Sequence, residues 1–279
     1  MNRLIASKIV FLFANFCFQQ MNLSAQFFDV PSITIDNASI IITYELSYKE
    51  DSNNLNIIRK EEMLLLIGEN TGFFAGKNFY LFIQQGRQAE REGRLDFFLD
   101  EYKLKNKMGR FTYSIYKNYP SGKITFTNKV IPTFLLYEED LSSFQWELKN
   151  GEEKVAGYNT RQAGIHYGGR QWTAWYTTEV PINEGPYKFR GLPGLIVKVA
   201  DSRGHYEFNL ISIERLSEKL PIEFEEHDYV KTTREKYLKS EENLRRDIIS
   251  RAREAGAGNQ SQQIAVRNME RRNNPIEIK

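Results

Sequence analysis

The sequence has little of the chemistry on which enzymes and cross-linked proteins most often depend. Among its 279 residues there are one cysteine and three histidines. The cysteine, Cys17, lies inside an apolar N-terminal segment that has the features of a secretion signal. Once that segment is removed, we expect no disulfide, no thiol nucleophile and no thiolate metal site, so that stability must come from the hydrophobic core.

The first 25 residues match the three parts of a secretion signal. Arg3 and Lys8 give the positive end, residues 9–18 the apolar centre, and Leu23-Ser24-Ala25 a small-residue cleavage site. The apolar centre is shorter than the roughly 20 residues that span a bilayer. We therefore expect an exported protein, cleaved near Ala25 and located in the periplasm or on the outer surface. Its mature chain should have no transmembrane segment and no attached lipid.

The balance of charge gives no reason to expect a nucleic acid or an anionic membrane as the main partner. The chain has 38 Lys+Arg and 36 Asp+Glu, and loss of the two cations in the signal would make the numbers equal. The G-x-x-G at Gly191 to Gly194 is a poor match to the nucleic-acid-gripping loop of KH domains, because Leu-Pro occupies its centre and a strand follows.

The sequence contains no recognisable catalytic or metal-binding pattern. His166, His205 and His227 lack the i, i+4 helical spacing of a zinc site, although the first two could meet if their strands pair. The acidic runs 138–140 and 225–228 are interpreted as solvated loops, and a hydrolase that uses two acids from distant strands stays open. We therefore expect no metal, no cofactor and no enzymatic activity.

Alternation of apolar and polar residues predicts a mainly β protein. Residues 38–49 alternate cleanly, as in a half-buried antiparallel strand. Residues 77–103 have helical spacing and predict two short helices over one face of a sheet. A Thr232-x-x-Glu235 capping box then starts a basic amphipathic helix. The predicted fold is a curved antiparallel sheet, a half-barrel or bowl, with short covering helices and a C-terminal amphipathic helix.

These patterns divide the chain into three parts. A signal occupies residues 1–25, a single β-rich domain residues 26–254, and a flexible linker with a C-terminal tail residues 255–279. The linker assignment depends on the small, polar, glycine-containing composition of the last part. The basic helix and tail could alternatively dock an envelope partner, although a surface helix with one docked face is the commoner use of such a pattern.

The most distinctive segment is the hexapeptide Gly191-Leu192-Pro193-Gly194-Leu195-Ile196, which follows Gly185-Pro186 closely. Pro193 fixes its own φ, and Gly194 directly after it suits the third position of a type II turn, where φ is positive. A mostly buried strand should follow. The segment is either the rim of a ligand site or a structural corner that packs its own leucines and isoleucine, and the sequence leaves both interpretations open.

Large aromatic side chains are plentiful in the strand-rich half of the chain. Trp172 and Tyr176 share one face of a predicted strand, and Trp175 lies on the other face. Together with Tyr187 they are the candidate ligand-binding residues, because a curved sheet lined by rings can stack sugars or cover acyl chains and peptides. The alternative, in which these rings only fill a large core, also stays open.

The hexapeptide, preceded by Trp175-Tyr176 and Gly185-Pro186 and followed near the end by Asn274-Pro275-Ile276-Glu277, resembles the GLPGLI family. These are exported proteins of Bacteroidetes-type bacteria without an assigned biochemical role. The region also resembles the bowl-like N-terminal domain attached to some bacterial peptide-N-glycosidases. The resemblance implies a secreted, β-rich domain. It implies no catalytic residue, because the likeness reaches the accessory domain and not the catalytic one.

Three functions are compatible with these observations. The first is non-enzymatic binding, in the cell envelope, of an unknown partner or of an apolar or ring-stacking ligand. The second is a half-barrel that carries lipids or lipoproteins, which requires an apolar cavity under residues 77–103. The third is an accessory role in glycan or peptide hydrolysis. We take the first as the working hypothesis, since rings are abundant and no catalytic group is recognisable.

Overall fold

The computed structural model describes residues 28–105, 108–254 and 260–279, and the predicted secretion signal with its cleavage site lies outside this part of the chain. Twelve strands of the described part form one open, curved sheet. In chain order the strands are β1 Ser32–Tyr48, β2 Arg59–Ile67, β3 Gly72–Gly76, β4 Ser114–Lys117, β5 Lys123–Val130, β6 Thr133–Asp140, β7 Glu147–Val155, β8 Tyr158–Tyr167, β9 Arg170–Thr177, β10 Leu195–Asp201, β11 Tyr206–Glu225 and β12 Tyr229–Lys231.

The order of the strands across the sheet is β12-β6-β5-β4-β3-β2-β1-β11-β10-β9-β8-β7. Of the strand pairs in the described residues, β12 with β6 is parallel and the others are antiparallel. The prediction of a mainly β fold built on a curved sheet is confirmed. The one parallel pair makes the sheet mixed, where the sequence predicted an antiparallel sheet.

The long strand β1 has the predicted alternation over most of its length. Ile42, Tyr44, Leu46 and Tyr48 are buried together on one face of the sheet. Ala38 was expected on the same face, but it belongs to the core on the opposite face. The reason is a register shift in the pairing with β11 after Ala38, because an irregularity of one residue exchanges the two faces of a strand.

The two helices that the spacing predicted are present as α1 (Lys77–Arg91), which lies against β2 and β3 on one face of the sheet, and α2 (Leu95–Lys105), which packs against α1. Tyr80 of α1 packs against a buried cluster on that face. Gly93 separates the two helices with a φ of 69°, which costs glycine little. The cluster under the helices comprises Ala38, Leu64, Leu66, Phe73, Ala75, Tyr116 and Ile222.

The larger core lies on the opposite face and is completed by helix α3 (Arg234–Glu254), which buries Tyr237 there. This is the predicted amphipathic helix, but its cap lies one residue later than expected, since the hydroxyl of Thr233 accepts the N–H of Lys236. In the described part of the chain, none of the helices is both long and apolar enough to cross a bilayer.

The part of the predicted flexible linker and C-terminal tail that the structure describes contains regular structure, and residues 255–259 of the linker lie outside the described residues. Residues 260–271 form helix α4 (Gln260–Arg271), and the segment after it lies against the sheet. The N–H of Ile278 donates to the carbonyl of Gly168 at 2.7 Å, and Glu277 retains only 2% of its exposed surface. Composition could not reveal this docking, because it depends on partners far away in the sequence.

Candidate functional site

The loop between β9 and β10 folds back on itself and is closed at its neck. Glu184 and Arg190 face each other in an isolated β-bridge, and the N–H of Gly191 donates to the carbonyl of Asn183 at 3.0 Å. The segment between the two neck residues, Gly185-Pro186-Tyr187-Lys188-Phe189, is buried throughout. The loop therefore places five residues in the core and keeps its neck near the surface.

Lys188, inside this loop, is fully buried and surrounded by acceptors. Its Nζ atom lies 2.6 Å from Glu139 Oε2 and 2.7 Å from Glu277 Oε1. The hydroxyls of Tyr137 and Tyr167 lie 2.8 and 3.1 Å from the same atom. Several aromatic rings also surround the ammonium group at cation–π distances. A buried lysine charge is tolerated only with such pairing.

The Lys188 network joins parts of the sheet that lie far apart in strand order. Glu139 belongs to β6 and Tyr167 to β8, close to opposite ends of the sheet, and the Tyr167 hydroxyl donates to Glu139 Oε2 at 2.9 Å. Arg234 of α3 adds a 2.8 Å bond to Glu139 Oε1. Burial opposes ionisation of Glu139, yet the neighbouring Lys188 and Arg234 charges outweigh it and lower the pKa of this carboxyl.

Tyr187 is held in an uncommon backbone conformation beside this network. Its φ is 54°, in the left-handed region that costs a non-glycine residue about 1–2 kcal/mol. Its hydroxyl donates to Glu277 Oε1, and burial raises its pKa well above 10. The side-chain carboxylate of Glu277 thus stabilises both the ammonium group of Lys188 and the strained Tyr187 next to it.

Arg170, at the start of β9, fixes the same C-terminal segment by a second set of bonds. It pairs with Asp201 at 2.8 Å, and both side chains are almost fully buried. The rest of its guanidinium donates to Asn274 Oδ1 at 2.7 Å and to the carbonyls of Pro275 at 2.6 Å and Ile276 at 2.9 Å. Arg170 thus binds Asn274, Pro275 and Ile276, and Lys188 binds Glu277, so that each residue of the segment has a bond to a buried side chain.

The glycine-proline hexapeptide is a tight corner leading into β10. The N–H of Gly194 donates to the carbonyl of Leu192 at 2.8 Å, which makes a three-residue turn around Pro193 and not the predicted type II turn. Gly194 does have the expected positive φ, at 148°. The apolar members Leu192, Leu195 and Ile196 are buried, as the structural-corner interpretation expects, whereas Pro193 is exposed.

A cleft of about 530 Å³ opens beside this corner. One wall is the turn between β2 and β3, residues 67–72, and the other is formed by residues 181–184 together with Arg190, Pro193 and Gly194. The hexapeptide thus serves as corner and rim at once. This cleft, called the motif cleft below, is the candidate functional site, because it is an open concave surface with polar groups converging on it.

An ion cluster includes two residues of the motif cleft's lining, Glu184 and Arg190. Arg190 Nε donates to Glu184 Oε1 at 2.8 Å, and Lys117 Nζ lies 3.0 Å from Glu184 Oε2. Lys117 is fully buried and also donates to the carbonyls of Gly185 at 2.6 Å and Phe189 at 3.2 Å. Burial lowers the pKa of Lys117, and the Glu184 carboxylate opposes that shift.

The predicted ligand-binding aromatics are not gathered at one surface. Trp172, Tyr176 and Tyr187 are buried in the main core, where Trp172 packs edge-on against Phe189 at 4.9 Å between ring centroids. Trp175 is half-buried, and Lys198 Nζ lies 5.1 Å from its ring centroid. The burial of the first three favours the core-filling alternative, and ligand stacking on Trp175 stays a prediction.

The histidines also stay apart. His166 lies on β8 and His205 just before β11, and β9 and β10 separate these strands, so the two side chains cannot pair as the sequence allowed. Among the described residues, no three His, Cys, Asp or Glu side chains are grouped as a metal site would require.

The interpretation of the acidic runs as solvated loops was wrong for residues 138–140 and for Glu225, whereas residues 226–228 do form a loop in which Glu226 and Asp228 are exposed. Glu139 lies in β6 and binds Lys188, while Glu225 in β11 pairs with the buried Arg87. A signal for the first was present in the sequence. Residues two apart on a strand share a face, so Glu139 had to follow Tyr137 toward the core. The signal was missed because three consecutive acids suggested exposure.

We predict that Gly194→Ala destabilises the protein far more than Gly191→Ala. A Cβ at position 194 would lie 2.0 Å from the carbonyl oxygen of Thr177, whereas one at position 191 would have no neighbour within 4 Å. The first change should cost about 3 kcal/mol or more and the second about 1–2, because φ is positive at both. Urea denaturation measures both, and equal losses would contradict this geometry.

We predict that Glu139→Gln costs about 3 kcal/mol of unfolding free energy at neutral pH, because it leaves Lys188 and Arg234 with one partner fewer. The lowered pKa of Glu139 means that its contribution is present above the ordinary carboxyl value of 4.5 and is lost as the pH falls through the folded-state pKa. The difference between wild type and variant should therefore shrink with acidification. Urea titrations at neutral pH and at about pH 3 measure it.

Glu152→Gln is the matched control, since Glu152 is exposed and only loosely paired with Arg161 at 3.5 Å. It should change stability little at either pH. A Glu139→Gln deficit that stayed constant with pH would show that the carboxylate charge does not stabilise the network.

Comparison with known proteins adds a partial family match. Residues 137–198, less than half of the chain, match the family described as "Protein of unknown function (Porph_ging)". Two crystal structures of PNGF-II, in space groups P21 and C2, are similar at 13% and 14% identity, each with a TM-score of 0.49. They cover 75% and 74% of this chain, which spans about a third of their length. A comparison with curated proteins found no match. The matched family segment contains the loop that forms one wall of the motif cleft.

Proposed function

We propose that this is an exported, non-enzymatic protein of the cell envelope that binds a ligand or partner in the motif cleft. The observation that carries the proposal is the cleft itself, about 530 Å³ in volume, with the neck residues Glu184 and Arg190 in its lining. A concave site of this size suits a small ligand or a short segment of a larger one. The resemblance of the hexapeptide to the GLPGLI family is part of the same proposal.

The burial and pairing of the ionisable groups support the proposal that the protein is not an enzyme. In the cluster around Lys188, the ammonium and the Glu277 carboxylate are buried and paired with each other, so that a substrate does not reach them. Arg170 and Asp201 are equally enclosed. These groups stabilise the fold, and the motif cleft offers recognition by charge and shape.

The alternative of a lipid carrier has less support. It requires a large apolar cavity under residues 77–103, and the cavity between α1 and the sheet measures about 40 Å³. Its lining also includes the charged side chains of Arg87, Glu223 and Glu225. A space of that size holds a few water molecules and not an acyl chain. An accessory role in hydrolysis has no specific observation in its favour.

We predict that Asn183→Trp abolishes ligand binding without unfolding the protein. Asn183 is exposed and lines the motif cleft, so an indole there fills the site while the backbone bond to Gly191 is kept. Isotope-labelled protein is titrated with a panel of amino acids, short peptides, sugars and sugar acids, and amide chemical shifts are followed by NMR. The expected result is shifts confined to residues 67–72 and 181–194 in wild type and their loss in the variant.

Two further variants make this test decisive. Asn56→Trp adds the same ring to an exposed turn between β1 and β2 and should bind as wild type does. Trp175→Ala should also bind normally, unless stacking on that ring is the true mode of recognition. Mass spectrometry of the ligand after long incubation should recover it unchanged. Shifts that map elsewhere, or conversion of the ligand, would overturn the proposal.

We predict that protein recovered from the cell envelope begins at Gln26. Export removes the segment with Arg3, Lys8 and the apolar centre, and Leu23-Ser24-Ala25 provides the cleavage site. N-terminal sequencing of the fractionated protein measures this. Recovery of the chain in the cytosolic fraction with Met1 or Asn2 as its first residue would contradict export.

A further inference from the structure

Arg190 lines the motif cleft and has hydrogen-bond donors that the protein does not use. Its Nε atom is used by Glu184, and its side chain keeps 15% of its exposed surface. Within the described residues, the two terminal nitrogens of the guanidinium make no hydrogen bond to the protein. The Nε bond to Glu184 holds the guanidinium in place, and its two terminal nitrogens can donate hydrogen bonds to the oxygen atoms of a ligand.

The charges around Arg190 favour an anion. Glu184 is shared between Arg190 and Lys117, which is fully buried and lies outside the lining of the cleft, so this ion cluster has two cations and one carboxylate. Glu69 also lines the cleft, but it is exposed on the turn, where water screens its charge. Among the described lining residues Arg190 is the cation that a ligand can reach, and the Glu184 carboxylate beside it is already shared with Lys117.

Neutral polar groups complete the site. Asn70 and Asn183 line the cleft, and within the described residues neither makes a side-chain hydrogen bond to the protein. Each can donate and accept. Ile67, Ile182 and Pro193 provide apolar contact in the same cleft. The combination suits a small ligand with one acid group on a polar body.

We propose that the motif cleft binds a small carboxylate ligand, either an acidic sugar or a short acidic peptide, with Arg190 as the residue that grips the carboxylate. The guanidinium fork matches the two oxygens of a carboxylate, and such charge-assisted bonds are stronger than neutral ones. The amides of Asn70 and Asn183 hold the hydroxyls or peptide groups of the same ligand. This inference rests on the proposed function of the cleft and names the chemistry of its ligand.

Matched acidic and neutral probes test the inference on the full chain. Glucuronic acid is compared with glucose, and the capped tripeptide Gly-Asp-Gly with Gly-Asn-Gly, by NMR titration followed by calorimetry. We expect at least one acidic probe to shift residues 67–72 and 181–194 and to bind about tenfold more tightly than its neutral partner. Which acidic probe binds identifies the sugar or the peptide as the source of the carboxylate.

Three substitutions assign the effect to Arg190. Arg190→Gln should weaken the acidic probe about tenfold, and Arg190→Lys should restore only part of the loss because the bidentate fork is missing. Asn183→Asp adds an anion to an exposed position of the same cleft without touching the Arg190–Glu184 pair, and it should also weaken the acidic probe. This last variant keeps the test valid if the Arg190 variants fail to fold.

The outcomes separate this inference from the function on which it rests. Equal binding of neutral and acidic probes in the cleft would overturn the carboxylate inference and leave cleft binding in place. Acidic binding that neither Arg190→Gln nor Asn183→Asp weakens would also overturn it. If neither acidic probe binds while another compound of the wider panel does, the ligand class is wrong. If nothing in that panel binds the cleft, the proposed function fails with it.

Discussion

The buried ammonium group of Lys188 is the constraint on which much of the described structure depends. A lysine charge removed from water is stable only while its partners are in place, and those partners come from β6, β8 and the C-terminal segment. Since β6 and β8 lie near opposite ends of the strand order, the network connects two ends of an open sheet. The curvature is thereby held by charge and hydrogen bonds as well as by packing.

The same network explains why the motif cleft has a defined shape. Lys188 and Tyr187 anchor the middle of the loop in the core, and the Glu184–Arg190 bridge then fixes its neck. The corner at Gly194 directs the chain into β10 and leaves Pro193 at the rim. A loop that is so firmly held presents its surface groups in one arrangement, and less conformational entropy is lost when a ligand binds.

The sequence predicted what local pattern determines and missed what distant pairing determines. Alternation in β1 and helical spacing in residues 77–103 identified elements that the structure contains, and the hexapeptide was correctly placed before a buried strand. The role of Lys188 was not predictable in the same way, because Glu139 and Glu277 lie 49 and 89 residues from it. The motif cleft was equally hidden, since its second wall comes from residues 67–72.

The position of Glu277 has a consequence for how the chain acquires its structure during synthesis. Lys188 leaves the ribosome 49 residues after Glu139 and 89 residues before Glu277, so its charge has only one of its two carboxylate partners until Glu277 is made. Contacts of such long sequence separation form late and slowly. The interior around Lys188 therefore reaches its final pairing only after the segment with Glu277 has docked.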